Sequence, residues 1–448
     1  MKISKLALSA IIAAGCLGTQ VNAQQNYQAA AYAQGNPNAV TQVGFFDGCD
    51  SCGDNACDGG CGVVCDDFGC DSLFGGRAGG LLDGGLFGGD CCLDEPWTLF
   101  GNDNCRGINI GGWTAVGYHT ANTNFSFNDY ADRVQLHQQW LYAEKVADGS
   151  KGLDFGARID YIYGTDGPDT QAFGIDNGHW DTDFDNGGAY GHAIPQLYGE
   201  VAMGDVSAKV GKFYTIIGNE VVAATGNFFY SRQLTFYNAE PFTHTGILST
   251  YKLNENTETF AGYAMGWDSG FEDNGDLYLS GFNSQLSDDV SLTYTSALGR
   301  FGEQGFTSFL GRNALNGGNE RGVNHSMILS AALTDKLTYV NQNDYLFTND
   351  ANGLGLRNTF GSIHYLVYQL NDCWGVGSRS EWFNISSEAA GIRNADVYNQ
   401  TLGVNYRPTS NLVLRPEVRW VWDKEGIGFN ENNATSQASF GMDGVFTF

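Results

Sequence analysis

The chain has 448 residues, with 50 Asp and Glu against 23 Lys and Arg and a formal net charge of −27, so it lacks the basic surface that nucleic acid requires. It is rich in glycine (62) and aromatics (13%) and poor in proline (7), and its mean hydropathy is −0.25. After the first 23 residues no run of about 18 apolar residues occurs, which excludes a transmembrane helix; the same composition suits strands that alternate between lipid and water, and also a soluble β-protein.

Lys2 and Lys5 precede the short apolar run Leu6 to Ala14, and Val21-Asn22-Ala23 places small residues around a cleavage point before Gln24. This is the pattern of an export signal over residues 1–23. A rival reading lies at Cys16, where Ala13-Ala14-Gly15 loosely resembles a lipoprotein box; both readings take the chain out of the cytoplasm. Residues 24–107 form a low-complexity segment dense in Cys, Gly and Asp, with Cys49, Cys52, Cys57, Cys61, Cys65, Cys70, Cys91, Cys92 and Cys105. It has too few large apolar residues to offset chain entropy without cross-links or metal. The single Cys-x-x-Cys, Cys49 to Cys52, falls short of the pair that a zinc ribbon needs, and export favours disulfides. An odd number of cysteines leaves one over. Two expectations follow: pairing with Cys373, the other mature cysteine, or cross-linking between molecules into an envelope network.

From Ile108 the pattern changes to period two. In Lys151–Tyr163, Leu153, Phe155, Ala157, Ile159, Tyr161 and Tyr163 share one face, and Asp154, Gly156, Arg158 and Asp160 the other. In Asn411–Asp423, Leu412, Leu414, Val418, Trp420 and Trp422 oppose Arg415, Glu417 and Arg419. Strands are expected near 108–119, 133–145, 152–163, 194–203, 206–214, 243–253, 257–267, 276–286, 290–300, 324–333, 336–347, 358–370, 373–386, 395–407, 411–423 and 435–448. Their connections alternate between short runs of turn residues, such as Gly204-Asp205, Thr334-Asp335 and Asn371-Asp372, and longer loops. A soluble sandwich has no reason to keep that alternation. The expected fold is therefore an all-β, antiparallel, up-and-down transmembrane β-barrel of roughly 16 strands over 108–448, with outer-membrane lipid around it. Phe440, Met442, Phe446 and Phe448 share a face of the last strand, resembling the signal read by outer-membrane barrel assembly machinery, although Asp443 sits where Gly is common.

Three stretches carry a family resemblance: GKFYTIIGNEVVAATGNFFYSRQLTFYNAEPFTHTGILSTYKL (Gly211 to Leu253), LHQQWLYAEK (Leu136–Lys145) and GARIDYIYGTD (Gly156–Asp166). They resemble the OmpL-like family of β-barrel porins, and the likeness runs over nearly all of 108–448 while leaving out 49–105. It implies an outer-membrane barrel that passes small hydrophilic solutes; it implies no particular solute. A homotrimer is expected by analogy with porin-like barrels. The competing function is a structural or adhesive envelope protein, anchored by its barrel and cross-linked through its cysteines.

The expected site is the third long loop, Thr215 to Phe242. It is rich in aromatics and carries Glu220, Arg232 and Glu240. In general porins the third loop narrows the lumen, and an apolar loop this long is costly in water. Its expected wall partners are the inward residues Arg158, Asp160, Arg379, Glu381, Arg415, Glu417 and Arg419, which would set a transverse field across a narrow aqueous path. The alternative is a loop packed on the rim. Acidic residues of the outer loops, among them Asp166, Asp169, Asp176, Asp268, Glu272 and Asp273, would concentrate cations, while the lumen arginines act in the opposite sense. Asp181, Asp183 and Asp185 have a spacing that suits calcium, but the glycine falls one place late and His192 stands where a glutamate is needed, so a solvated acidic loop is the stronger reading. No cofactor is otherwise expected. No enzyme signature occurs, and the seven histidines are scattered.

Overall fold

The computed structural model describes residues 96–99 and 107–448, apart from 124–125, 128–129, 173–179, 182–187, 273–274, 306–314, 389–393 and 427–433. The export signal, the nine cysteines between 49 and 105, and Asp183 and Asp185 lie outside the described residues.

Sixteen described strands run in chain order: β1 (Ile108–His119), β2 (Gln135–Lys145), β3 (Asp154–Gly164), β4 (Gly191–Met203), β5 (Val206–Tyr214), β6 (Thr243–Asn254), β7 (Thr257–Ala264), β8 (Asp276–Ser287), β9 (Val290–Gly305), β10 (Leu315–Thr334), β11 (Leu337–Asn349), β12 (Gly355–Asn371), β13 (Trp374–Ser386), β14 (Ala395–Thr409), β15 (Leu412–Asp423) and β16 (Ser436–Thr447). Each pairs antiparallel with the next, and β1 pairs with β16 in the register Trp113 to Thr447, so the sheet closes on itself. Closure satisfies every backbone ladder and leaves no edge, which a strand structure in lipid requires.

The side chains are arranged inside out. Leu153, Phe155 and Ile159 on β3 and its approach, and Val418 and Trp420 on β15, are exposed on the outer face; Arg158, Asp160, Arg415, Glu417 and Arg419 are buried within. Alternation at period two thus sends apolar groups to lipid and polar groups to the lumen. Aromatic pairs mark both ends of the outer wall. Trp374 stacks on Tyr406 at 4.2 Å near the short turns, and Tyr398 stacks on Trp422 at 5.6 Å near the long loops.

The short turns are made by side chains that fold back on the backbone. Asn254 Oδ1 accepts from Asn256 N, Thr334 Oγ1 from Lys336 N and Asn371 Oδ1 from Cys373 N, at 2.9, 3.2 and 3.0 Å. Such Asx and hydroxyl turns cap two-residue connections cheaply. At the same end Trp97 exchanges two 2.8 Å hydrogen bonds with the Asn411 side chain and stacks on Phe446. Trp97 is therefore fastened to the short-turn rim.

The structure departs from the expected strand limits mainly at the fifth long loop. β9 runs to Gly305 and β10 starts at Leu315, where strand ends at 300 and 324 were expected. That stretch lacks alternating apolar residues, so hairpin pairing extends it without a period-two signal. The expected limits of β4 and β12 were each three residues late at the start, and that of β7 three residues long at the end.

Candidate functional site

The third loop, L3, joins β5 to β6 over residues 215–242. Its base is closed by Thr215 N donating to Phe242 O at 3.1 Å. It contains one six-residue helix, α1 (Leu234–Ala239). Its described side chains are almost all buried, because the loop folds inward and packs against the lumen side of the barrel wall. Phe228, Phe229 and Tyr230 account for much of this fit. A Cβ built on Gly377 of β13 would lie 2.5 Å from the Phe228 ring, one on Gly403 of β14 would lie 3.0 Å from Phe229, and one on Gly441 of β16 would lie 2.7 Å from Tyr230. Inward glycines on three strands thus form a bed that larger residues would fill.

Charged wall groups clasp the loop backbone. Arg379 of β13 pairs with Glu220 at 2.6 Å and also donates to Ser231 O. Glu381, two residues on, accepts from the first amides of α1, Leu234 N at 2.9 Å and Thr235 N at 2.7 Å, and from Thr235 Oγ1. Gln233 at the N-cap makes no side-chain cap, so a wall carboxylate satisfies the orphan donors and favours the positive helix end. Arg415 of β15 makes a bidentate pair with Asp443 of β16 and reaches Ala224 O and Asn227 O. Glu417 accepts from Ser231 N. Arg419 donates to Asn399 at 3.2 Å.

The loop's own charges are placed differently from their expected roles across an open path. Glu220 touches Arg379 directly. Arg232 turns back to three carbonyls of L3, those of Val221, Tyr230 and Val222, at 2.7 to 2.8 Å. A guanidinium withdrawn from water needs its donors met, and a folded loop supplies carbonyls at close range. Glu240 accepts from Gln342 of β11. Arg158 and Asp160 pair with each other at 2.6 Å, and Arg158 also meets Glu144 at 3.0 Å; their contacts are with β2 and not with L3. Of the expected calcium ligands, Asp181 is described: its oxygens accept from Ala172 N and Ile194 N, and Lys212 Nζ lies 3.7 Å away. Several acids expected at an open mouth are buried instead. Asp166 accepts from Gln138 and Asp268 accepts from Phe242 N and Thr243 N.

Three features escape a reading of the sequence. Gln138 of β2 holds the first half of L3 through Val222 O and Ala224 N. Tyr230 Oη sits 2.9 Å from both His119 Nδ1 and His137 Nε2. The glycine bed is the third. A signal for it exists in hindsight: Gly377, Gly403 and Gly441 all stand at inward positions of their strands, where a glycine has no packing use of its own.

The family model described as Putative beta-barrel porin-2, OmpL-like matches residues 107–448. The chain belongs to that family. Among solved structures, this OmpL-like porin is similar to OmpT of Vibrio cholerae in its trimer form, with a TM-score of 0.52 and 11% identity over 76% of this chain and 99% of that one. It is equally similar to an anion-selective porin from Comamonas acidovorans, with a TM-score of 0.52 and 11% identity over the same shares. The outer membrane channel DcaP of Acinetobacter baumannii follows, with a TM-score of 0.50 and 11% identity over 76% of this chain and 97% of that one. No curated relative matches the chain in sequence. The fold is thus that of an outer-membrane porin.

The wall of this porin away from L3 has a different character. Towards the short turns, Lys209 of β5, Thr250 and Lys252 of β6, Glu258 of β7, and Asn283 and Gln285 of β8 point inward and are only half-buried. Thr293 of β9 donates to Asn283 at 3.1 Å.

Proposed function

We propose that the protein is a passive, non-enzymatic diffusion channel for small hydrophilic solutes and ions, narrowed by L3. One observation carries the reading: L3 is drawn inside the barrel and fixed by side chains of β1, β2 and β10–β16, while the polar wall of β5–β8 towards the short turns stays only half-buried. A loop held this firmly restricts the path without closing it by chance motion. Export by residues 1–23, assembly through the exposed apolar face of β16 and association into a homotrimer complete the proposal. The test is single-channel recording of the folded full-length protein in planar bilayers. Stable ohmic steps are expected; folded barrels that insert without conducting would remove the reading.

We further propose that Cys373 forms a disulfide with a cysteine from the chain ahead of β1. The support is positional. Cys373 is buried at the short turn between β12 and β13, and Trp97 is docked at the same rim. Reduction should change the gel mobility of the wild type and leave Cys373→Ser unchanged. A shift of the same size in Cys373→Ser would refute the pairing and favour cross-links elsewhere.

A further inference from the structure

One contact between L3 and the wall brings two carboxyl groups together. Just past the C-terminal end of α1, Glu240 meets Asp344 of β11, and both are 2% exposed. Gln342 Nε2 donates to both of them, to Glu240 Oε1 at 2.7 Å and Asp344 Oδ2 at 2.8 Å. The remaining oxygens, Glu240 Oε2 and Asp344 Oδ1, are buried, and the Ser326 hydroxyl of β10, paired with Asp344 in the strand register, is the neutral donor beside Asp344. Gly218 closes one side so tightly that a Cβ there would lie 1.9 Å from Glu240 Oε2. On the β10 side the partner is neutral: Asn324 Nδ2 donates to Ala239 O at 2.7 Å. Gln233 Nε2 donates to Gln342 Oε1 and to Tyr365 Oη of β12.

The charged groups that face the pair are Glu220 of L3 and Glu381 of β13, both acidic. Arg379, the basic group of this corner, is taken by Glu220. Tyr365 donates to Glu220, and Glu381 is committed to α1. Two carboxyl groups in contact in dry surroundings cannot both ionise. Leaving a buried acceptor without a donor is costly as well. One proton shared by the Glu240 and Asp344 carboxyl groups answers both objections, since it removes one charge and supplies a donor where two acceptors meet.

We propose that Glu240 and Asp344 share a proton and that this proton latches the C-terminal arm of L3 to the barrel wall, loosening as the pH rises. The gating consequence rests on L3 narrowing the path. Burial, and then the Asp344 carboxyl, hold the Glu240 carboxyl well above the ordinary carboxylate range. The sign follows from linkage. The docked loop binds the proton more tightly than a loop released to water, so docking is at full strength at acid pH. It weakens as the pH climbs from the ordinary carboxylate range through the docked value. Alkaline conditions should therefore free the arm and widen the channel.

The test uses the folded full chain, wild type and the near-isosteric variants Glu240→Gln and Asp344→Asn, with retained folding checked by heat-modifiable gel mobility. Infrared difference spectra should show a protonated carboxyl band at neutral pH in the wild type. That band should fade on alkaline titration and be missing from both variants. Single-channel conductance should rise with pH in the wild type and be flat in Glu240→Gln. A carboxyl band that is unchanged in both variants, or a pH profile of Glu240→Gln that follows the wild type, overturns the latch. A band that behaves as expected in a barrel that does not conduct supports the shared proton and refutes the channel reading instead.

Discussion

The two sides of the lumen solve opposite problems with the same strand pattern. The β11–β16 wall places charged groups, amides and glycines where L3 must dock, and nearly every one is buried against the loop. The β5–β9 wall near the short turns carries hydroxyls, amides and a few charges that stay half-buried. The difference shows that an inward polar residue in a barrel has two distinct uses. It can wet the lumen, where it costs little and is replaceable, or it can bind protein backbone, where its loss strands a buried partner.

The largest effect that can break this contrast is expected from Arg379→Met. It leaves Glu220 buried without its cation, and removing one partner of a buried pair costs about 3–5 kcal/mol. Hydrogen exchange of the L3 amides should quicken by about a hundredfold to several thousandfold in proportion, with noisier single-channel currents. A change of Thr250→Leu on the opposite wall should leave L3 exchange at the wild-type rate. Equal responses to the two changes would erase the distinction between the walls. The next effect concerns shape and not charge. Gly377→Leu fills the place of the Phe228 ring, and overpacking of this kind costs about 1–3 kcal/mol. The loss of exchange protection should centre on Phe228 to Tyr230 and spare α1, which Glu381 still caps. Uniform loss over the whole loop would mean that the glycine bed and the charged clasp are one cooperative unit.

Much of the barrel was legible in the sequence because its information is local. Alternation in β3 and β15 sorts lipid from lumen within a dozen residues, and Asn, Asp and Thr at the short turns bond to backbone two residues away. The strand count and the identity of L3 follow from that. β9 and β10 were cut short because their outer ends are rich in Gly and polar residues and carry no alternation. The inward side of Arg379, Glu381, Arg415 and Glu417 was also legible, but their use was not. Whether a charge faces water or a loop backbone depends on what lies across the lumen, some 150 to 190 residues away in the chain. Arg232 shows the limit best, since nothing local says that its own loop curls to offer three carbonyls.

The smallest expected effect is the one that probes the join between the two halves of the lumen. Tyr230 joins L3 to the strands beyond the charged clasp, touching His119 of β1 and His137 of β2 through one hydroxyl. Tyr230→Phe keeps the ring on Gly441 and removes only that oxygen. The two ring nitrogens lose a partner, while His137 keeps Thr165 and Asp166 on its other nitrogen. His119 Nε2 already has no partner, so the burden of the change falls on His119. A net hydrogen bond is worth about 0.5–1.5 kcal/mol, so exchange should quicken by about two- to tenfold around Tyr230 and not at α1. If α1 loosened equally, the hydroxyl would belong to the clasp, and L3 would be held by one cooperative network and not by separable anchors.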